Sequence, residues 1–140
     1  MLGIEVILNK AKLSRAELKK ARLNNAKCEG AHFHNSILIS ATLKGAILKK
    51  AEFMQAQLQA AHFEGADLTG AKFEDADIND TYFKKAILDD FAKKSLINAK
   101  NWKRIEKAEG VDRVEGAHFD DDVLKELLDL ASKRHQKTEV

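Results

Sequence analysis

From Val6 to Leu88 a small residue and then a large apolar one recur every five residues without a slip. The large positions are Leu8, Leu13, Leu18, Leu23, Cys28, Phe33, Leu38, Leu43, Leu48, Phe53, Leu58, Phe63, Leu68, Phe73, Ile78, Phe83 and Leu88. Ala stands two residues ahead of each, except where Val6, Ser36 and Thr81 take its place. A helix returns to one face about every 3.6 residues and a strand about every 2, so neither buries a strict repeat of five. A chain that turns a corner after each unit does. Four right-angle corners close a turn in about twenty residues and stack each unit on the one twenty positions later.

Segments such as Ala66-Asp67-Leu68-Thr69-Gly70 and Ala76-Asp77-Ile78-Asn79-Asp80 resemble the pentapeptide-repeat family, whose consensus is Ala, then Asp or Asn, then Leu, then two variable residues. The resemblance implies a right-handed quadrilateral β-helix with four units per coil, an all-β solenoid of about four coils over residues 1–88. The residue types agree with it. Ala lets neighbouring corners approach, and Leu or Phe fills the middle of the prism. Gly30, Gly45, Gly65, Gly70, Asn25, Asn35, Asp75, Asp80 and Ser40 fall at the corners, all turn-tolerant types. Proline is absent, which suits a stack whose backbone N–H groups bond the next coil.

After Leu88 the register fails, because Lys93 stands where a large apolar residue is due. Residues 89–140 read as a C-terminal α-helical capping region. Trp102 is expected to pack on the last coil, and Ala117-His118-Phe119 offers one more unit, displaced by one residue from the earlier frame. A final helix spans about 121–135. Asp120, Asp121 and Asp122 can cap it, Val123, Leu124, Leu127, Leu128 and Ala131 form its apolar face, and Lys133, Arg134 and His135 suit its C-terminal dipole. Trp102, Leu124, Leu127 and Leu128 are thus the expected cover of the open coil. The opposite end, Met1 to Val6, has no capping signature and leaves a sheet edge exposed. A homodimer through the N-terminal coil is one way to cover it.

The composition is 33% charged, with mean hydropathy −0.40. No run approaches the roughly 18 apolar residues of a membrane helix, and Met1 to Leu8 lacks the basic lead of a secretory signal. Together with a single cysteine, which excludes an internal disulfide, this leads to the expectation of a cytoplasmic protein without membrane contact. Charge drifts along the chain: residues 1–30 carry a net +4, residues 31–63 +2, residues 64–90 −5 and residues 91–140 +1.

Catalytic chemistry finds no foothold in this pattern. His32 and His34 flank Phe33 and His62 falls on another face, so no third metal ligand is apparent and no cofactor is expected. Gly65 to Lys72 lacks the Gly-Lys pair of a phosphate loop, and Asp75, Asp77 and Asn79 lack the Gly and Glu of a calcium loop. Ile37, Ile39, Ile47 and Met54 break the polar rule for outward positions and form the candidate interaction patch. The reading is a non-catalytic scaffold for protein–protein interaction whose partner the sequence does not name. The family resemblance adds an alternative, a DNA mimic that binds DNA gyrase. A further alternative is direct nucleic-acid binding through Lys10, Lys12, Arg15, Lys19, Lys20, Arg22 and Lys27. The spread of these residues over several faces, without interleaved aromatics, disfavours it.

Overall fold

In the computed structural model, residues 4–103 and 116–138 are described, with side chains to Arg134. The expectations for Met1 to Gly3 and His135, and the part of the capping region at residues 104–115, lie outside the described residues. Parallel bridges join residues twenty apart, in four series that define the four sides of a prism. Face one carries Ile7, Lys27, Ile47, Asp67 and Ile87 at its outward centre, and face two carries Lys12, His32, Glu52 and Lys72. Face three carries Glu17, Ile37, Gln57 and Asp77, and face four Arg22, Thr42, His62 and Tyr82.

Each corner is a β-turn with a left-handed residue. The Ala11 N–H donates to the Leu8 carbonyl, and the same bond recurs at later units. Positive φ falls on every fifth residue from Lys10 to Lys85, between 53° and 71°. Four of these sixteen are glycines. At Gly45 the space is also taken, since an added Cβ would stand 2.5 Å from the Asn25 side-chain oxygen of the coil below. Between corners the backbone bonds up and down the stack, as where Leu8 N–H donates to Lys27 O and Lys27 N–H to Val6 O.

The inward positions form the core. From Leu23 to Phe83 every large residue of the repeat is buried, and the Ala positions with them. Phe33, Phe53 and Phe73 stack in one column with centroids 4.9 and 5.2 Å apart, and Phe63 and Phe83 stack at 5.4 Å in the next. The two columns meet edge to face at 5.5 to 6.3 Å, the geometry favoured by the ring quadrupole. The exceptions at the Ala position are satisfied in place: Ser36 Oγ donates to Phe33 O and Thr81 Oγ1 to Leu58 O, both at 2.7 Å. Leu8, Leu13, Leu18 and Leu88, expected as full core, are only partly buried. The three leucines lie in the first coil, which has no described coil beneath it.

Beyond Leu88 the chain completes the stack with different elements. Helix α1, Asp90–Leu96, lies where face two would continue, and Phe73 N–H donates to Ser95 Oγ at 2.6 Å. Asp89 is its N-cap, accepting from Ala92 N–H at 2.9 Å while the same oxygen accepts from Gly70 N–H at 3.0 Å. Ile78 N–H then donates to Lys100 O, Asp80 N–H to Gly116 O and Phe83 N–H to His118 O. Phe119 stacks on Phe83 at 5.0 Å, so the displaced Ala-x-Phe unit rejoins face four. Asp120 does not serve the final helix alone, because its side chain accepts from Lys85 N–H at 2.8 Å.

Helix α2, Asp121–Thr138, buries Leu127 and packs Val123, Leu124, Leu130 and Ala131 against the core, with Trp102 also partly buried there. Leu128 departs from its expected place: it is 39% exposed. One residue advances a helix by about 100°, so the stripe running through Leu124, Leu127 and Ala131 excludes it. No described helix is long and apolar enough to cross a membrane.

Phe53 touches three other rings, so Phe53→Ala should cost about 3–5 kcal/mol of stability, against less than about 0.5 kcal/mol for Gln57→Ala on the outer surface. Denaturant unfolding of the two variants checks this ordering.

Candidate functional site

The vertical register brings together residues that are distant in sequence. On face two, His32 is the outward centre of its unit, His34 follows at the corner, and Glu52 lies directly above His32 in the next coil. His32 Nδ1 and His34 Nε2 each stand 2.7 Å from Glu52 Oε2. Lys72, one coil higher, places its Nζ 3.7 Å from the other oxygen, Oε1. The two imidazoles lie 5.9 Å apart, inclined by 27°. The expectation that no third ligand accompanies the histidines is therefore corrected: His32, His34 and Glu52 hold ligand atoms within 4.8 Å of one another. The signal was present as the twenty-residue step from His32 to Glu52.

Electrostatics follow from this contact. The hydrogen bond from His34 is the main cause holding the Glu52 carboxyl below its ordinary value of 4.5, with the charges of His32, His34 and Lys72 assisting and partial burial opposing. Alongside runs an open groove lined by Lys50, Glu52, Gly70, Lys72, Asp89 and Phe91.

The candidate patch of Ile37, Ile39, Ile47 and Met54 is not one surface. Ile37 lies on face three with Ile39 beside it, Ile47 lies on the opposite side on face one, and Met54 sits at the corner between faces two and three. Sequence neighbours separate because each five-residue step turns a corner. The exposed apolar residues that do share a face are Ile7, Ile47 and Ile87, 61%, 37% and 56% exposed. Lys27 and Asp67 alternate with them. Ile4 and Phe91 are also exposed but are not members of this column. Face four carries a ladder of rings instead: His62 stacks on Tyr82 at 4.5 Å and Tyr82 on His118 at 4.3 Å. Cys28 belongs to the interior, and burial pushes its thiol up to about 11.

A family profile described as "Pentapeptide repeat region" matches residues 16–92, more than half of the chain. The chain belongs to the pentapeptide-repeat family. Its fold is accordingly a β-solenoid, and the twenty-residue bridges are its register. No curated protein matches the chain in sequence at a significant level. Among solved structures it is similar to HetL, a pentapeptide repeat protein involved in heterocyst differentiation regulation in the cyanobacterium Nostoc sp. strain PCC 7120. The two are 20% identical over 69% of this chain and 60% of HetL, with a TM-score of 0.30. It is also similar to Rfr23 from the cyanobacterium Cyanothece 51142, 21% identical over 74% of this chain and 63% of that one, TM-score 0.25. A pentapeptide repeat protein of the Arabidopsis thaliana thylakoid lumen is 18% identical over 89% and 87% of the two chains, TM-score 0.28. The chain thus spans about 60% of the length of the first two.

Two predictions follow from the buried and half-buried ionisable groups. The Cys28 thiol should resist labelling by an aromatic disulfide reagent in the native protein and react fully once the chain is unfolded. For Glu52, a folded-state value below 4.5 means that its ionised form adds stability above about pH 4.5, and that the gain is lost as pH falls through the lowered value. Wild type should therefore be more stable than Glu52→Gln near pH 5 to 6, with the difference closing on acidification; a difference constant with pH would contradict this assignment.

Proposed function

We propose that this protein is a non-catalytic scaffold of about four coils, closed at its C-terminal end by α2, which binds other protein through face one. The observation that carries the reading is the column Ile7, Lys27, Ile47, Asp67, Ile87. Three exposed isoleucines on one flat wall are apolar area with no described side chain over them. The column also has an internal symmetry. Lys27 lies one coil below Ile47 and Asp67 one coil above it. A second copy laid against it end for end sets Ile47 on Ile47, Ile7 on Ile87, and each Lys27 on an Asp67. That is the self-complementarity a two-fold interface requires.

The ion pairs of the two charged residues are local, and Asp67 Oδ1 also accepts from the backbone N–H and the hydroxyl of Thr69 at 3.1 and 2.7 Å, which leaves Oδ2 for a partner. Lys27 pairs with Glu5 at 2.8 Å, an exposed contact of the kind that contributes little, and Asp67 Oδ2 lies 3.8 Å from Lys49 Nζ. The wall is about 20 Å tall at the inter-coil spacing of about 4.8 Å, so a contact confined to it belongs with the smaller, transient interfaces. Because Ile7 lies in the first coil, the N-terminal coil takes part in the same contact.

The DNA-mimic alternative has less support. Mimicry calls for a regular negative charge about every 1.7 Å of axis, whereas face two runs Lys12, His32, Glu52, Lys72 and face one holds one acid among five residues. Direct nucleic-acid binding meets a similar difficulty, since Lys12, Arg22 and Lys27 point from three different faces.

Light scattering across a concentration range tests the pairing. The full chain should associate weakly to a dimer, and Ile47→Asp should hold it monomeric. Lys27→Asp and Asp67→Lys should each weaken association by setting like charges opposite, and the two together should restore it. A chain monomeric at all concentrations, or a double variant no better than the singles, would overturn the self-pairing.

A further inference from the structure

We propose that His32, His34 and Glu52 form a surface site for a divalent transition-metal ion of the zinc class. Two imidazole nitrogens and a carboxylate oxygen are the ligand types such an ion takes, and three protein ligands leave a coordination position for water. The donor atoms converge from two adjacent coils: both histidines come from one, and Glu52 comes from the next.

The three donor atoms lie within 4.8 Å of one another, near enough for side-chain rotation to complete the site. Ligands at about 2.0–2.1 Å from a tetrahedral ion stand roughly 3.3 Å from one another. Glu52 Oε2 now sits 2.7 Å from each imidazole nitrogen, so an opening of about 0.6 Å, well within the reach of a Glu side chain, admits the ion. The bridge between residues 32 and 52 fixes the backbone floor of the site, and rotation of the two imidazoles brings their nitrogens to the ion. The side chains of His32, His34 and Glu52 are 43%, 33% and 22% exposed, which gives an ion entry from solvent. Lys72 holds Oε1 and so leaves Oε2, the oxygen facing both rings, for the metal. Binding at this place ties one coil to the next across a twenty-residue loop.

Calorimetric titration of the chelator-treated full chain with Zn2+ should give one ion per chain at this site. His32→Ala and His34→Ala should each weaken it at least about tenfold, Glu52→Gln should weaken it as well, and His62→Ala, a histidine on face four, should leave it unchanged. Cu2+ in place of Zn2+ gives a second readout, since electron paramagnetic resonance should report two imidazole nitrogens in the wild type and one in His34→Ala. The fold is checked by circular dichroism of each variant without metal. Zn2+ should raise the unfolding midpoint of the wild type and not that of the double variant lacking both histidines. Undiminished binding by that folded double variant, or an equal loss in His62→Ala, would overturn the site.

Discussion

Everything in this fold depends on a left-handed corner at every fifth residue. A left-handed conformation costs a residue with a Cβ about 1–2 kcal/mol, and twelve of the sixteen corners from residue 10 to residue 85 are not glycine. Lys10, Arg15, Lys20 and Lys50 are among them. What offsets this cost is the yield of each corner: a turn hydrogen bond, and a straight side whose N–H and C=O groups meet the next coil. A corner formed alone has only the first of these. Coils therefore stabilise one another in sequence, and the stack is held by its neighbours more than by local propensity.

The same dependence makes the two ends unequal. At the C-terminal end, the N–H groups of Gly70, Phe73, Asp75, Ile78, Asp80, Phe83 and Lys85 are taken by Asp89, Ser95, Asn98, Lys100, Gly116, His118 and Asp120. Seven different residues do there what a regular coil does by repetition. Three of them use side chains, which explains how a helix can stand in for a side of the prism without leaving its donors unpaired. At the N-terminal end the first coil has no described counterpart below it, and Leu8, Leu13 and Leu18 remain half-covered while their equivalents one coil later are buried.

What was legible in the sequence is what repeats. The column of Phe33, Phe53 and Phe73, the Ala positions and the corner residues all follow from the period of five, since each lies at a fixed place in its unit. What was not legible depends on a second coordinate, the coil number. Ile37 and Ile47 look adjacent along the chain and stand on opposite walls. His32 and Glu52 look unrelated and stand in contact. Leu128 failed for a different reason: a helical stripe can be drawn through Leu124 and either Leu127 or Leu128, and only the position of the prism beneath it chooses. The completion of the last coil by α1 and residues 97–103 was out of reach because no repeat marks it, although the Ala-x-Phe unit at 117–119 marks where the chain returns.

A wall of stacked coils also constrains its own surface. Outward side chains in one column stand about 4.8 Å apart, close enough that like charges in succession repel and opposite charges pair. Face two resolves this by alternation, with Glu52 between His32 and Lys72. Face one resolves it by spacing, with isoleucine between Lys27 and Asp67. The two solutions have different chemical consequences. Alternation draws donors of opposite character onto a single carboxylate and builds a polar site within the chain. Spacing keeps the charges apart, so that each finds its partner beside the column rather than along it: Lys27 meets Glu5, and Asp67 meets Lys49 and Thr69. The order of residues up a column, rather than the repeat unit itself, thus decides what each wall presents.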